Sequence, residues 1–321
     1  MLAAYAACVN RDAPLTCLRV GEVEPGVTPV DWVDVHVRAA SLNHHDIWAL
    51  RGQALTADRT PMILGSDAAG VTADGREVIV HAVIGDAGAR GDETLDSRRS
   101  LLSEIYPGTL AQIVRVPAGN LVDKPAEVTF AEAACLPTAW LTAYRMIVRK
   151  SQTGPGDTLL IQGAGGGVSS AAIVLGRALG RRVWVTSRSE RKRDWALTLG
   201  ADAAFEPGAR VPEKVDAVIE TVGEATWDHS LRSLRPGGTI VVSGATSGPN
   251  PPADLNRVFF LQLSIVGSTM GTKEDLVELV GVLRATGARP IIDSELPLMS
   301  IAEGVAAMER GDVLGKIVAL V

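Results

Sequence analysis

Cysteine is scarce in this chain. Cys8, Cys17 and Cys135 are its whole complement, and no two of them stand as C-x-x-C. Three thiolates cannot complete a four-cysteine zinc site within one chain, and a disulfide framework is not expected in a chain of 321 residues. Histidine is also sparse. His36, His44, His45, His81 and His229 form no H-x-x-x-H pair, so a metal centre has few imidazoles to start from. Positive charge is in short supply, with 31 Lys and Arg against 37 Asp and Glu and a net charge of −6. That balance argues against nucleic acid or an anionic membrane as the main partner. No apolar run reaches membrane-spanning length. The amino-terminal MLAAYAACVNRDAP meets Arg11 and Asp12 before a signal-peptide core can form. A cytoplasmic protein without a membrane partner is therefore expected.

What is present is the composition of a folded globular protein, 46% apolar and 21% charged, at a length that favours two domains. Residues 1–120 read as short strands broken by Gly, Pro and Asp. VDVHVRAASL (33–42) partly alternates, as a half-buried strand does, and 68–84 holds two apolar runs around the hairpin signal Asp74-Gly75. From Asp157 the texture changes. DTLLIQ, RVWVTS (182–187), AAFE, VDAVIETV (215–222), GTIVVSG (238–244) and LSIVGST (263–269) are apolar runs with helical segments between most of them. This is the alternation of a parallel sheet covered on both faces. The link between the third and fourth runs is too short for a full crossover helix. The carboxyl-terminal segment returns to strand, helix, strand.

The sharpest local signal is strand, glycine turn and helix at 158–180. Gly165, Gly166 and Gly167 let the backbone approach a pyrophosphate, and a helix opening near Val168 turns its free N–H groups toward the charge. Against G-x-G-x-x-G, the register Ala164, Gly166, Ser169 is small at all three positions and is preferred to Gly163, Gly165, Val168. The second strand ends in Ser187-Arg188-Ser189, followed by Arg191, Lys192 and Arg193, with no carboxylate at its tip. NAD sites place an acid there, whereas NADP sites place positive charge. Ser187, Arg188 and Lys192 are read as holders of a 2′-phosphate, which makes NADP(H) the expected cofactor and NAD(H) the alternative. The plainer reading of the same cluster is a solvated helix face.

The order of AASLNHHDIWALRG (39–52), ILGSDAAGV (63–71), GTLAQIVRVP (108–117), AACLPTAWLTAYRMI (133–147), GAGGGVSSAAI, LGAD (199–202), LRPGGTIVVSGATSG (234–248) and LGKIVAL resembles one family. It is that of the medium-chain dehydrogenase/reductase superfamily, nearest its zinc-free quinone-oxidoreductase-like and alcohol-dehydrogenase-like branch. The resemblance implies an α/β protein. A GroES-like β-barrel catalytic domain would be built from 1–122 and 290–321, with a Rossmann doubly wound parallel sheet over 123–289. It also implies a nicotinamide ring entering between the domains, and a homodimer paired through the strand near 263–269. Thr221, Gly223, Gly244 and Ser268, on the loops after later strands, would complete the cofactor contacts.

In zinc-dependent members of the family, three metal ligands would fall at Asn43, Ser66 and Thr138. A four-cysteine lobe would fall near 85–107, where this chain has no cysteine. Neutral amide and hydroxyl oxygens hold zinc poorly against water, so no metal is expected. Without a Lewis acid, hydride transfer to a conjugated carbonyl or a quinone asks less of the protein than alcohol chemistry, because the charge delocalises. Asn43 is a candidate amide donor to a carbonyl or cofactor, or else a turn former. Thr138 and Thr142 would line the nicotinamide pocket, or back-bond to their helix. His45 stands where zinc alcohol dehydrogenases carry a proton-relay hydroxyl, and is either a proton donor or a structural histidine. Asp46 and Asp67 orient neighbours. Trp48 is an aromatic wall over the substrate or a core residue. Two other readings are an idle NADPH-binding sensor or scaffold, and an alcohol dehydrogenase with a metal recruited by His45, Asp46 and Asp67.

Overall fold

The structure, a computed structural model, describes residues 1–88 and 91–321. The chain divides into two compact units. One holds Met1–Ala139, Met270–Gly281 and Pro290–Val321, and the other Trp140–Thr269 and Val282–Arg289.

The first unit is organised on the strand Val33–Ser41. It pairs antiparallel with Asp67–Thr72, with Ile113–Val116 and with Lys316–Leu320, and Ser41 stands opposite both Asp67 and Val318. Asp67–Thr72 returns through the expected hairpin at Asp74-Gly75 as Glu77–Val80. A side chain at Gly70 would put its Cβ 2.2 Å from the His36 carbonyl oxygen. The glycine therefore answers a close strand approach beside the bulge between Val37 and Ala39. A second sheet sets Leu2–Ala6 between Leu18–Glu22 and Met62–Ile63. Leu50, Leu64, Val80, Leu110, Ile301 and Ile317 are buried together in the core of this unit. The carboxyl-terminal elements follow the expected order, with Ile292–Pro297, the helix Ile301–Arg310 and Lys316–Leu320.

Residues 123–139, assigned by the sequence to the dinucleotide-binding part, lie in the first unit. The reason is local packing, since the helix Phe130–Ala134 rests on Val33–Ser41 and Asp67–Thr72. A second difference concerns cysteine. A disulfide framework is not expected from the sequence, yet Cys8 and Cys17 are bonded to each other, with their Cα atoms 5.0 Å apart. Antiparallel pairing sets Ala6 opposite Leu18, and the Ala7 amide donates to the Cys17 carbonyl. The two thiols are thereby brought together just beyond the paired ends. Composition reports the number of cysteines but not this register.

The second unit is a parallel sheet. Across it run Ala203–Phe205, Arg182–Thr186, Thr158–Gln162, Val215–Glu220, Leu234–Val242 and Ser264–Gly267 in that order. The strand that comes first in the chain is therefore central and the order reverses beside it, which creates the crevice where such sheets bind ligands. Leu160, Trp184, Val218, Leu231 and Ile240 form its buried core, and Trp184 meets Phe205 edge-on at 5.7 Å between ring centres. Among the described residues no helix separates Phe205 from Val215, as the short link requires. No helix among them is long and apolar enough to cross a membrane.

Candidate active site

In the first unit, adjacency of the strands Val33–Ser41, Asp67–Thr72 and Lys316–Leu320 gathers polar side chains at one end of the sheet. Lys316 is 3% exposed and its Nζ donates to the Leu42 carbonyl at 2.6 Å, to Asn43 Oδ1 at 2.6 Å and to Asp67 Oδ2 at 3.3 Å. Ser41 Oγ donates to the same Asp67 oxygen at 2.7 Å. Asn43 Nδ2 donates to Ser66 Oγ at 3.3 Å, and Ser66 Oγ lies 3.1 Å from Thr138 Oγ1. The three positions that the family resemblance marks as metal ligands are therefore joined to one another by hydrogen bonds. Lys316 and Ser41 were not anticipated from the sequence. The lysine lies in LGKIVAL, 273 residues from Asn43, and nothing in its local sequence shows that its ammonium is buried.

Backbone geometry holds this cluster in place. Asn43 begins the helix His44–Leu50, and Asp46 binds its amide at 2.8 Å and the Gly65 amide at 3.0 Å. Burial pushes the Asp46 carboxyl above its ordinary value, against the opposing backbone hydrogen bond from Asn43. Asp46 thus ties Asn43 to the Gly-Ser-Asp turn. Cys135, beside this region in the sequence, is buried, with its thiol pushed up to about 12 by desolvation. That thiol is inert as a nucleophile.

His45 is 9% exposed and faces elsewhere. Its Nε2 lies 2.9 Å from Glu104 Oε1, and Ser103 Oγ is 3.5 Å from its Nδ1. Glu104 also accepts the Leu101 amide at 2.9 Å. Burial alone would raise this carboxyl, but the hydrogen bonds from His45 and Leu101 outweigh it and hold Glu104 below its ordinary value of 4.5. The structure does not bring His45, Asp46 and Asp67 together as a ligand set, because His45 pairs with Glu104 and both Asp46 oxygens bind amides. Among the described residues no group of three or more His, Cys, Asp and Glu could hold a metal ion. Trp48 is half-buried, 6.4 Å from the His44 ring. Tyr106, at the end of the same 85–107 segment, stacks on Trp32 at 4.6 Å.

In the second unit the expected cofactor residues fall at the carboxyl ends of the parallel strands. Gly165–Val168 follow Thr158–Gln162, Ser187 and Arg188 follow Arg182–Thr186, and Thr221 and Gly223 follow Val215–Glu220. Gly244 and Ser268 come after the next two strands. The glycines of the turn differ in backbone conformation. Left-handed backbone occurs at Gly163 (φ +84°) and Gly165 (φ +96°), whereas Gly166 starts the helix Gly167–Ala178 in an extended conformation. The first two glycines are needed for the turn, whereas a Cβ at Gly166 would meet only Ser169 Oγ, in ordinary contact at 3.7 Å. No side chain caps this helix, so its first amides remain for an anion. Ser268 Oγ is buried with no hydrogen-bond partner among the described residues. These features fit a dinucleotide. At the second strand Ser187 is buried and Arg188 exposed. Arg193 is committed to the Ser187 carbonyl at 2.8 Å and pairs with Glu206 at 3.5 Å. Thr142 is buried four residues beyond Thr138 on the same helical run.

Two residues missed by the sequence reading shape this edge. Glu220 binds the Val222 and Gly223 amides at 2.8 and 3.0 Å and fixes the turn that carries Thr221. Gln162 accepts from Thr186 Oγ1 at 2.6 Å and donates to Ser230 Oγ at 3.0 Å, tying the first two strands to the helix Glu224–Ser233. The only sequence signal available for either was a polar residue closing an apolar run.

Comparison with known proteins agrees with this architecture. Residues 29–126 match the alcohol dehydrogenase GroES-like domain, and residues 167–285 match the zinc-binding dehydrogenase family. An acryloyl-coenzyme A reductase of Sulfurisphaera tokodaii is 28% identical over 89% of this chain and 91% of its own. A crystal structure of an NAD-dependent alcohol dehydrogenase superposes with a TM-score of 0.91 at 32% identity, covering 100% of both chains. A 2-octenoyl-CoA carboxylase reductase, solved with NADP and 2-octenoyl-CoA, gives a TM-score of 0.90 at 25% identity, over 99% of this chain and 87% of its own. A GroES-like domain joined to a Rossmann sheet defines an oxidoreductase. The chain belongs to the medium-chain dehydrogenase/reductase superfamily.

The His45–Glu104 pair has a pH signature. A carboxyl held below its ordinary value stabilises the folded state above that value and ceases to do so as pH falls through the folded pKa. Urea unfolding is expected to show stability lost below about pH 4.5, and a smaller loss in Glu104→Gln. At neutral pH Glu104→Gln is expected to cost about 1–2 kcal/mol. Identical acid slopes in the two proteins would contradict this role for Glu104.

Proposed function

We propose that this protein is a zinc-independent, NADP(H)-dependent reductase of a conjugated carbonyl or a quinone. The observation that carries the reading is the chemistry of the positions where relatives bind metal. Asn43, Ser66 and Thr138 supply an amide and two hydroxyls hydrogen-bonded among themselves, a set suited to a substrate oxygen and poorly suited to Zn²⁺. A bound reduced nicotinamide supplies the hydride. The protein's residues must stabilise the charge that moves onto the acceptor oxygen, and neutral donors suffice when that charge is delocalised as an enolate or a hydroquinone anion. Protonation then comes from solvent. His45, paired with Glu104, is assigned to holding the 100–104 segment against its helix instead of donating that proton.

Gly163–Gly167 and the first amides of the following helix are assigned to the pyrophosphate. Thr221, Gly223, Gly244, Ser268 and Thr142 are assigned to the rest of the cofactor. Ser187, Arg188 and Lys192 are assigned to the 2′-phosphate. The relative solved with NADP supports that preference, and the NAD-dependent relative represents the alternative. The test is oxidation of NADPH and of NADH with 2-cyclohexenone, crotonyl-CoA, benzoquinone and acetaldehyde, and reduction of NADP⁺ with ethanol. NADPH oxidation by an enone or quinone is expected, and Arg188→Ala should lower kcat/KM for NADPH about tenfold and leave NADH unchanged. A preference for ethanol oxidation or for NADH would overturn the reading. NADPH binding without any turnover would make the protein a sensor.

A homodimer is proposed through the sheet edge Ser264–Gly267. Ile265 is exposed there, and the nearby helix Leu255–Phe260 leaves Leu255, Phe259 and Phe260 70%, 68% and 80% exposed. Apolar side chains grouped beside an open strand are usually covered by a partner. Sedimentation should find a dimer in the wild type and a monomer in Phe260→Asp. A wild-type monomer at tens of micromolar would refute this interface.

A further inference from the structure

The buried lysine gives the hydrogen-bond chain a direction. An ammonium has three N–H groups and accepts nothing, and Lys316 has acceptors for all three in Leu42 O, Asn43 Oδ1 and Asp67 Oδ2. Asn43 must therefore turn its oxygen to Lys316 and its NH₂ to the other side, where Nδ2 donates to Ser66 Oγ at 3.3 Å and to the Ser41 carbonyl at 3.5 Å. Ser66 is fully buried and already accepts from Asn43. The only remaining place for its own proton, among the described residues, is Thr138 Oγ1 at 3.1 Å. A buried hydroxyl proton left without an acceptor would cost about 1–3 kcal/mol, so Ser66 donates and Thr138 accepts. The Thr138 hydroxyl proton has no acceptor of its own among the described residues, and Thr138 is the one member of the chain that is partly exposed.

We propose that Thr138 Oγ1–H is the donor that binds the substrate carbonyl oxygen, and that Lys316, through Asn43 and Ser66, orients and polarises it. A positive charge buried in the fold thus acts on the substrate through three hydrogen bonds, at the site where metal-dependent relatives act through a bound cation. Each bond in such a chain strengthens the next by roughly 10–30%. Thr138 is the group that touches substrate, and Lys316, Asn43 and Ser66 are positioning residues. The assignment rests on the carbonyl-reductase reading above and narrows it. A single neutral O–H donor stabilises a delocalised enolate but not a localised alkoxide, which restricts the acceptor to conjugated carbonyls.

The test reads polarisation directly, without turnover. Isotope-edited infrared spectroscopy of carbonyl-labelled cinnamaldehyde is recorded on the full-length protein with NADP⁺, which has no hydride to give. The carbonyl stretch should move to lower wavenumber in the wild type and in Thr138→Ser. It should return to the solution position in Thr138→Val, and lie between the two in Ser66→Ala, which interrupts the chain without uncovering the buried lysine. In steady-state NADPH oxidation with the same aldehyde, Thr138→Val should lower kcat about 100-fold with little change in KM, and Thr138→Ser should restore most of it. A wild-type stretch at the solution position, failure of cinnamaldehyde to bind, or the same shift in Thr138→Val would each overturn the assignment. A shift that depends on Thr138, in a protein that catalyses no NADPH oxidation by any of the acceptors tested, would uphold the donor and refute the reductase.

Discussion

Burial of the Lys316 ammonium is the constraint on which the candidate site in the first unit depends. Removing a charge from water costs several kcal/mol unless acceptors replace the lost hydration. Here three elements distant in sequence must meet to supply them. The end of Val33–Ser41 contributes Leu42 O and Asn43, the start of Asp67–Thr72 contributes Asp67, and the last strand brings the lysine itself. Ser41 then occupies the same Asp67 oxygen, and Asp46 fixes both turns from which Asn43 and Ser66 project. Deleting either charge would leave the other unpaired inside the fold, at a cost of roughly 3–5 kcal/mol. The last strand is thus bound to the site by electrostatics as well as by the ladder that pairs Val318 with Ser41.

In the proposed account, this arrangement sets neutral hydrogen-bonding groups at the three positions that the family resemblance marks as metal ligands. On that account a fixed ammonium replaces a mobile dication, and neutral donors carry its influence outward. The exchange narrows the chemistry. A metal can stabilise a localised alkoxide, while the weaker donor needs a substrate that spreads its own charge. The second unit makes no such substitution. Its glycine turn, helix start and strand-end loops lie along one edge of an open α/β sheet, the edge at which such sheets bind ligands.

Much of this was legible in the sequence because it is written in local patterns. Alternating apolar runs and glycine turns mark strand and helix order, and the eight-residue-scale link after Phe205 correctly excludes a helix. The losses at Asn43, Ser66 and Thr138 can be read one position at a time. What escaped was information held in pairing. Cys8 and Cys17 meet because Ala6 pairs with Leu18. Lys316 enters the site because its strand lies beside Val33–Ser41, and the partner of His45, Glu104, lies 59 residues away in sequence. The left-handed backbone at Gly163 and Gly165 escaped for a related reason, since small size is visible in sequence but the sign of φ is not.

The central claim is that the former metal positions of this protein work through a lysine-anchored hydrogen-bond chain and not through zinc. Metal analysis of the purified protein, followed by calorimetric titration with Zn²⁺ and assay of NADPH-dependent carbonyl reduction before and after chelation, tests it most directly. The account predicts no stoichiometric zinc, no uptake of added zinc at micromolar concentration, and an unchanged rate after chelation. A stoichiometric zinc whose removal abolishes turnover would contradict it.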